Sequence, residues 1–206
     1  MTGRDAVALR GPDGHDLSTF PTTSFAAGVG LYRAHRTALG AWYFSAGGAG
    51  RFDLDPPRGT CYLATDTETA VRETLGSTLH TLGGADVDFA AQRSVSRLRL
   101  PTACLLADLC DRHAADFGIT REIHTITPYT VTRAWAEAFH AVSDGLLYQS
   151  RFTTVAQANA LAVFDDAGPK SWPADTTPIP FLTAARAAGI TILPPPRRVT
   201  IVPPPT

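Results

Sequence analysis

Four residues of this chain carry side chains that could do chemistry together: Arg51, Tyr62, Glu73 and Ser150. A glycine-rich run, Gly47-Gly48-Ala49-Gly50, leads directly into Arg51. Tyr62 follows Arg51 by eleven residues, and Glu73 follows Tyr62 by another eleven. A guanidinium is permanently charged and presents a planar fork of N–H groups that suits phosphate oxygens. Glycines beside it let backbone approach a ligand closely. Tyrosine offers a flat face for a ring or a ribose and a hydroxyl for one hydrogen bond. A carboxylate can hold a ribose hydroxyl and oppose positive charge growing at an anomeric carbon. Serine adds a small donor and acceptor. These arguments point to a phosphorylated ligand without choosing among such ligands. Each residue also has a plainer reading: a solvated loop arginine, a core tyrosine, a surface helix glutamate and a strand-end serine.

The elements that must position them can be read from periodicity. GLYRAHR, from Gly30, alternates like a strand. The stretch from Thr37 to Thr60 mixes aromatics with Gly and Pro and reads as a long loop, a length that is often functional. Within it, Trp42, Tyr43 and Phe44 suit core packing and pocket lining equally. Residues 61–64 (CYLA) read as a short buried strand carrying Tyr62. Thr65-x-x-Glu68 fits a capping box, so a helix should run through TETAVRETL to about Gly76 and carry Glu73. RSVSRLRL and ACLLADL predict two further strands. DRHAADFG predicts a short helix closed by Gly118, and TVTRAWAEAFHAV a longer amphipathic one with Trp135 as packing. DGLLYQS and NALAVF predict strands, the first ending at Ser150. PFLTAARAAG reads as a helix, with TIL and VTIV as short strand candidates among proline runs. Strands and helices intermix without a strict βαβ rhythm, which predicts an α+β fold: one compact domain of mixed sheet with flanking helices. Residues 1–29 read as an irregular arm, 30–166 as the core, and 167–206 as a Pro-rich segment packed on or extending it.

Composition narrows the classes. The chain has 206 residues, 44% hydrophobic and 18% charged, enough apolar material for a sizeable core. A formal net charge of −1 offers no general attraction to nucleic acid or anionic lipid, so direct nucleic-acid binding is not expected. No run approaches the ~18 apolar residues of a membrane span, and the charged N-terminus does not resemble a signal peptide. A cytoplasmic protein is expected. Cys61, Cys104 and Cys110 lack disulfide or zinc spacing and read as free thiols. The histidines, including His113, His124 and His140, are scattered and read as helix-surface or loop residues. There is no G-x-x-x-x-G-K-[ST], H-E-x-x-H or G-x-S-x-G.

The segment LYRAHR…FSAGGAGRF…CYLATDTETAVRETL resembles the opening of the RES-domain family. The shared features are Gly50-Arg51-Phe52 after a glycine-rich loop, Tyr62-Leu63-Ala64, and Ala70-Val71-Arg72-Glu73. DGLLYQSRF…ANALAVFDD resembles the family's closing motif, with Ser150 as its serine. The resemblance spans roughly residues 30–166. It implies a fold related to ADP-ribosyltransferases and cleavage of the nicotinamide–ribose bond of NAD⁺, with water or phosphate as acceptor and no separate cofactor. It also implies a toxin role, with an Xre-type antitoxin covering the active site; a homo-oligomer is a further expectation.

By position, Arg51 would bind the dinucleotide phosphates, Tyr62 would pack near the nicotinamide ribose, Glu73 would be the key carboxylate and Ser150 would complete the pocket. Arg33 would be a second phosphate contact, and Gly50 and Phe52 would flank the substrate. A transferase acting on a protein or nucleic acid, or a silent NAD-binding protein, are the rival readings. Two departures stand out. Phe52-Asp53 replaces the family's frequent Trp-Asn, so Asp53 would put negative charge near a phosphate. The Pro-rich segment from about residue 168 has no counterpart in the resemblance.

Overall fold

Strands with apolar residues on both faces must be covered on both faces. The structure, a computed structural model, describes residues 8–154 and 156–195. In chain order it runs β1 (Thr22–Phe25), β2 (Gly30–Arg36), β3 (Tyr43–Phe44), β4 (Arg58–Ala64), α1 (Thr67–Leu75), α2 (Ser77–Leu82), β5 (Ala85–Asp86) and α3 (Val87–Ala91). Then come β6 (Arg93–Arg99), β7 (Cys104–Asp108), α4 (Thr130–His140), β8 (Gly145–Tyr148) and β9 (Ala160–Asp166). The last elements are β10 (Gly168–Pro169), β11 (Ile179–Pro180), α5 (Phe181–Ala187) and β12 (Ile192–Leu193). Eight strands form one mixed sheet in the order β1-β7-β8-β9-β4-β2-β6-β11, with β7 and β8 parallel. This is the mixed sheet with flanking helices that the sequence predicts.

Alternation sorts the sheet's side chains between its faces. Tyr62, Leu146, Tyr148, Ala160 and Ala162 pack with Trp135, Ala136 and Phe139 of α4. Farther along, Tyr32, Ala34, Ala64 and Val95 pack with α1, α3 and α5. Leu31, Cys61, Leu63, Leu161 and Val163 form a separate cluster with Trp42 and Phe44 of the long loop. Trp42 and Phe44 are therefore core, with Trp172 set edge-on to both at 5.0 and 5.5 Å.

Several expectations need correction. The arm before Gly30 contains β1, which pairs antiparallel with β7 from Thr22–Ala107 to Phe25–Cys104. Leu9, Leu17 and Phe20 are buried in the α4 cluster. The strand bearing Tyr62 is longer than expected and pairs along its whole length with β9, from Arg58–Asp166 to Ala64–Ala160. The cap of α1 is Asp66, not Thr65: its carboxylate accepts from the Thr69 amide at 2.7 Å. Such a cap contributes about 1 kcal/mol. The short helix before Gly118 is of the 3-10 type, Arg112–Phe117. The segment after residue 166 supplies β11 to the sheet edge and α5 to the core; VTIV lies outside the described residues. The three cysteines are free.

Candidate functional site

β2 and β4 share one ladder pair, Tyr32–Ala64, although they are neighbours in the sheet. Beside this split, the α4 cluster and the α1 cluster leave a cleft of about 390 Å³. Arg33, Gly50, Arg51, Tyr62 and Glu73 line it, and Tyr129, Tyr148, Arg151 and His124 complete its polar wall. Ser150 stands directly behind Glu73. Phe52 is elsewhere: it is fully buried, packed edge-on against Tyr148 at 5.0 Å, and supports the wall from the core.

Glu73 projects from α1 one turn after Thr69, toward Tyr148 at the end of β8 and Ser150 just beyond it. The Ser150 hydroxyl donates to Glu73 Oε1, and the Tyr148 hydroxyl donates to Oε2 at 3.4 Å. Burial pushes the Glu73 carboxyl above the ordinary range, opposed by the Ser150 hydrogen bond and by Arg51. Ser150 is itself held. Its amide donates to Asn159 Oδ1 at 2.9 Å, and Asn159 Nδ2 donates to the hydroxyls of Thr69 at 2.9 Å and Thr153 at 3.0 Å. Thr69 donates in turn to the capping Asp66 at 2.7 Å. The inner face of α1 is thus tied to the end of β8 at two points one helical turn apart. A buried network with its members paired fixes rotamers, which a carboxylate of defined position requires.

The glycine loop is held by a second network. The Tyr62 hydroxyl accepts from the Phe52 amide at 2.8 Å and donates to Asp53 Oδ1 at 2.9 Å, while Asp53 Oδ2 accepts from the Gly50 amide at 2.9 Å. The Tyr62 hydroxyl is engaged by the loop, leaving its ring to line the cleft. Asp53 is 2% exposed and has both oxygens engaged inside the loop, so its charge serves the turn and does not face the cleft. Burial also raises the Tyr62 phenol well above its usual value, keeping it neutral.

Arg51 is 8% exposed. Its Nη1 donates to the Ile126 carbonyl at 2.8 Å, and its guanidinium lies 4.6 Å from the Tyr129 ring centroid. Nη2 has no hydrogen-bond partner, a buried donor left unsatisfied. Arg33 stands in the split and donates from Nη1 to the Ala41 carbonyl at 2.7 Å.

His124 was not among the expected site residues. It sits in a 3-10 turn, Arg121–His124, that nothing in the local pattern marks, and it is buried instead of lying on the surface. His35 is likewise buried, against Ser96. Burial, then Arg51 and Arg121, pushes the His124 imidazole down to about 4. In the unfolded chain it takes a proton near 6.5; in the folded protein it resists protonation until about 4. Its contribution is therefore fully present above 6.5 and is lost as pH falls toward 4, roughly 3 kcal/mol across that window. Melting temperatures at pH 7 and pH 4.5 should fall less steeply in His124→Asn than in the wild type. Parallel curves would show that His124 does not titrate in this way.

Among the described residues, no group of three or more His, Cys, Asp or Glu is placed to hold a metal ion, and no helix is long and apolar enough to cross a membrane.

The cleft thus has a serine-held glutamate on one wall and a glycine-arginine loop on the other. The fold is similar to a chain of the Mycobacterium tuberculosis MbcT–MbcA toxin–antitoxin complex, with a TM-score of 0.59 and 13% identity over 81% of this chain and 92% of that one. No curated protein matches by sequence. The chain belongs to the RES domain family, whose pattern matches residues 30–183. That match runs beyond Asp166 to take in Trp172 and the first turn of α5, so the early part of the Pro-rich segment belongs to the domain.

Proposed function

We propose that this protein cleaves the nicotinamide–ribose bond of NAD⁺, passing the ADP-ribosyl group to water or phosphate. The observation that carries the reading is Glu73, a carboxylate fixed by Ser150 and Tyr148 at the wall of a cleft that also holds Arg51 and the Tyr62 ring. Arg51 binds the phosphates, with Arg33 as a second contact, and Gly50 permits close approach of the backbone. Tyr62 packs on the nicotinamide ribose. Nicotinamide is a cationic leaving group that departs neutral with the C1′–N electron pair, so it needs no general acid. Positive charge develops on the ribose as an oxocarbenium ion, as in glycoside hydrolysis. The Glu73 carboxylate stabilises that charge and orients the 2′-hydroxyl. The acceptor oxygen then bonds to C1′ and gives up its proton to solvent.

The similar M. tuberculosis structure is a toxin–antitoxin complex. Family membership and that likeness support reading this protein too as a toxin held by an antitoxin; we take it to be cytoplasmic and its partner to be of Xre type and to cover the cleft.

Incubating pure protein with NAD⁺ and resolving the products by chromatography tests the reaction. Free nicotinamide should appear in equal amount to ADP-ribose in either buffer where water is the acceptor, or in equal amount to a phosphorylated ADP-ribose in phosphate buffer alone where phosphate is. NAD⁺ left intact in both buffers would contradict the proposal.

A further inference from the structure

Beyond the Arg33 wall lies a second hollow of about 230 Å³, bordered by Arg33, His35, Arg36, Tyr43, Ser45 and Arg93. We propose that it is an anion site that takes a phosphate group between Arg36 and Arg93, on the far side of the Arg33–Ala34 wall that it shares with the main cleft. Arg36 and Arg93 are direct cross-strand partners in the β2–β6 ladder. Like charges in that position repel and destabilise a sheet unless something negative lies between them. No carboxylate of the described residues forms an ion pair with Arg33, Arg36 or Arg93. Asp175 is the acid whose field reaches His35; its Oδ2 accepts from the Arg97 amide at 3.0 Å, its Oδ1 is buried without a partner, and it does not line the hollow.

The three arginines differ in how they are held. Arg93 is fixed, 3.5 Å from the Phe89 ring centroid and donating to the Phe89 carbonyl at 3.0 Å. Burial and Arg36 both work against its charge. Arg33 is fixed by the Ala41 carbonyl. Arg36 is exposed, and its guanidinium makes no hydrogen bond or ion pair with any described residue. Two placed guanidinium groups and one free to close over a ligand suit a tetrahedral oxyanion, which accepts several charge-assisted hydrogen bonds at once. Ser45 and Tyr43 add hydroxyls to the rim. The phosphate can be free or carried on a nucleotide.

Titration calorimetry with inorganic phosphate, and separately with AMP, tests this in wild type, Glu73→Gln, Arg36→Ser and Arg36→Ser/Arg93→Ser. None of these titrations requires turnover, and phosphate held in the main cleft on Arg51 would persist in both Arg36 variants, so the loss read in them reports the hollow and not the proposed reaction. Wild type and Glu73→Gln should bind phosphate alike. Arg36→Ser, an exposed position that does not threaten folding, should bind severalfold more weakly, and the double variant at least tenfold more weakly. Tighter binding of AMP than of phosphate, lost in the same variants, would assign the site to a nucleotide; equal binding would assign it to free phosphate. Phosphate affinity in Arg36→Ser and in the double variant within twofold of wild type, or no phosphate binding by wild type, would overturn the proposal.

Discussion

Glu73→Gln should release nicotinamide from NAD⁺ on the order of 100-fold or more slowly than the wild type, the scale seen when a fixed electrostatic stabiliser is lost. The substitution keeps the shape of the side chain and one acceptor oxygen, which can stay on the Ser150 hydroxyl, while the amide NH₂ replaces the oxygen facing Tyr148 and donates to its hydroxyl. It removes the charge and exchanges one acceptor for a donor. The raised pKa of Glu73 supplies the control for misfolding. A carboxyl whose folded pKa lies above its unfolded value contributes stability below the unfolded pKa, and this is lost as pH rises through the folded one. At neutral pH the charged form is thus a burden on the fold, and the glutamine variant should melt no lower than the wild type. A slow enzyme with an undiminished melting temperature would place the defect in the chemistry. The same shift predicts that wild-type activity declines on the acid side at a higher pH than an ordinary glutamate would give, because the carboxylate is the active form. Near wild-type turnover from pure Glu73→Gln would remove Glu73 from the mechanism.

Gly50→Ala should both destabilise the protein and silence it. A Cβ at this position would collide with Asp53 Oδ1 and the Tyr62 hydroxyl, and would lie 2.8 Å from Tyr62 Cε2. None of these atoms is a free side-chain end: Tyr62 and Asp53 are bonded to each other and to the loop amides. Overpacking of this kind costs about 1–3 kcal/mol, and each kcal/mol lowers the melting temperature by roughly 2–4 °C at this chain length. The loop must shift to admit the methyl, and Arg51 moves with it. A displacement of about 1 Å in a positioning group can cost on the order of 100-fold in rate. Melting temperature and nicotinamide release measured together check this. An alanine variant as stable and as active as the wild type would show that the loop yields freely and that the Tyr62–Asp53–Gly50 network does not hold Arg51 in place.

What could be read from the sequence was what local pattern encodes. β2, β6, β7, β8, β9, α1, α4 and α5 each carry a period or a breaker that marks them, and Gly50, Arg51, Tyr62 and Glu73 sit on segments whose type is plain. What could not be read depends on partners far along the chain. β1 is four residues at a sheet edge, too short and too polar for a period, and it exists because β7 lies beside it. Thr65 and Asp66 are both good caps, and the geometry of the turn chooses the second. Asp53 looks like unwanted charge beside a phosphate until Tyr62 and the Gly50 amide are brought to it. Asn159, which holds Ser150 to Thr69, and His124, which shares the cleft with Arg51, have no local signature. Phe52 follows Arg51 in the chain, yet the turn that points Arg51 toward the cleft sends Phe52 into the core.

The most direct test of the site is a crystal structure of Glu73→Gln bound to NAD⁺, in which slow turnover should preserve the intact dinucleotide. The nicotinamide ribose should lie within hydrogen-bond reach of residue 73, with its ring against Tyr62 and the phosphates on Arg51. A dinucleotide bound outside the cleft, or within it with the phosphates away from Arg51 and the ribose away from residue 73, would contradict the assignment.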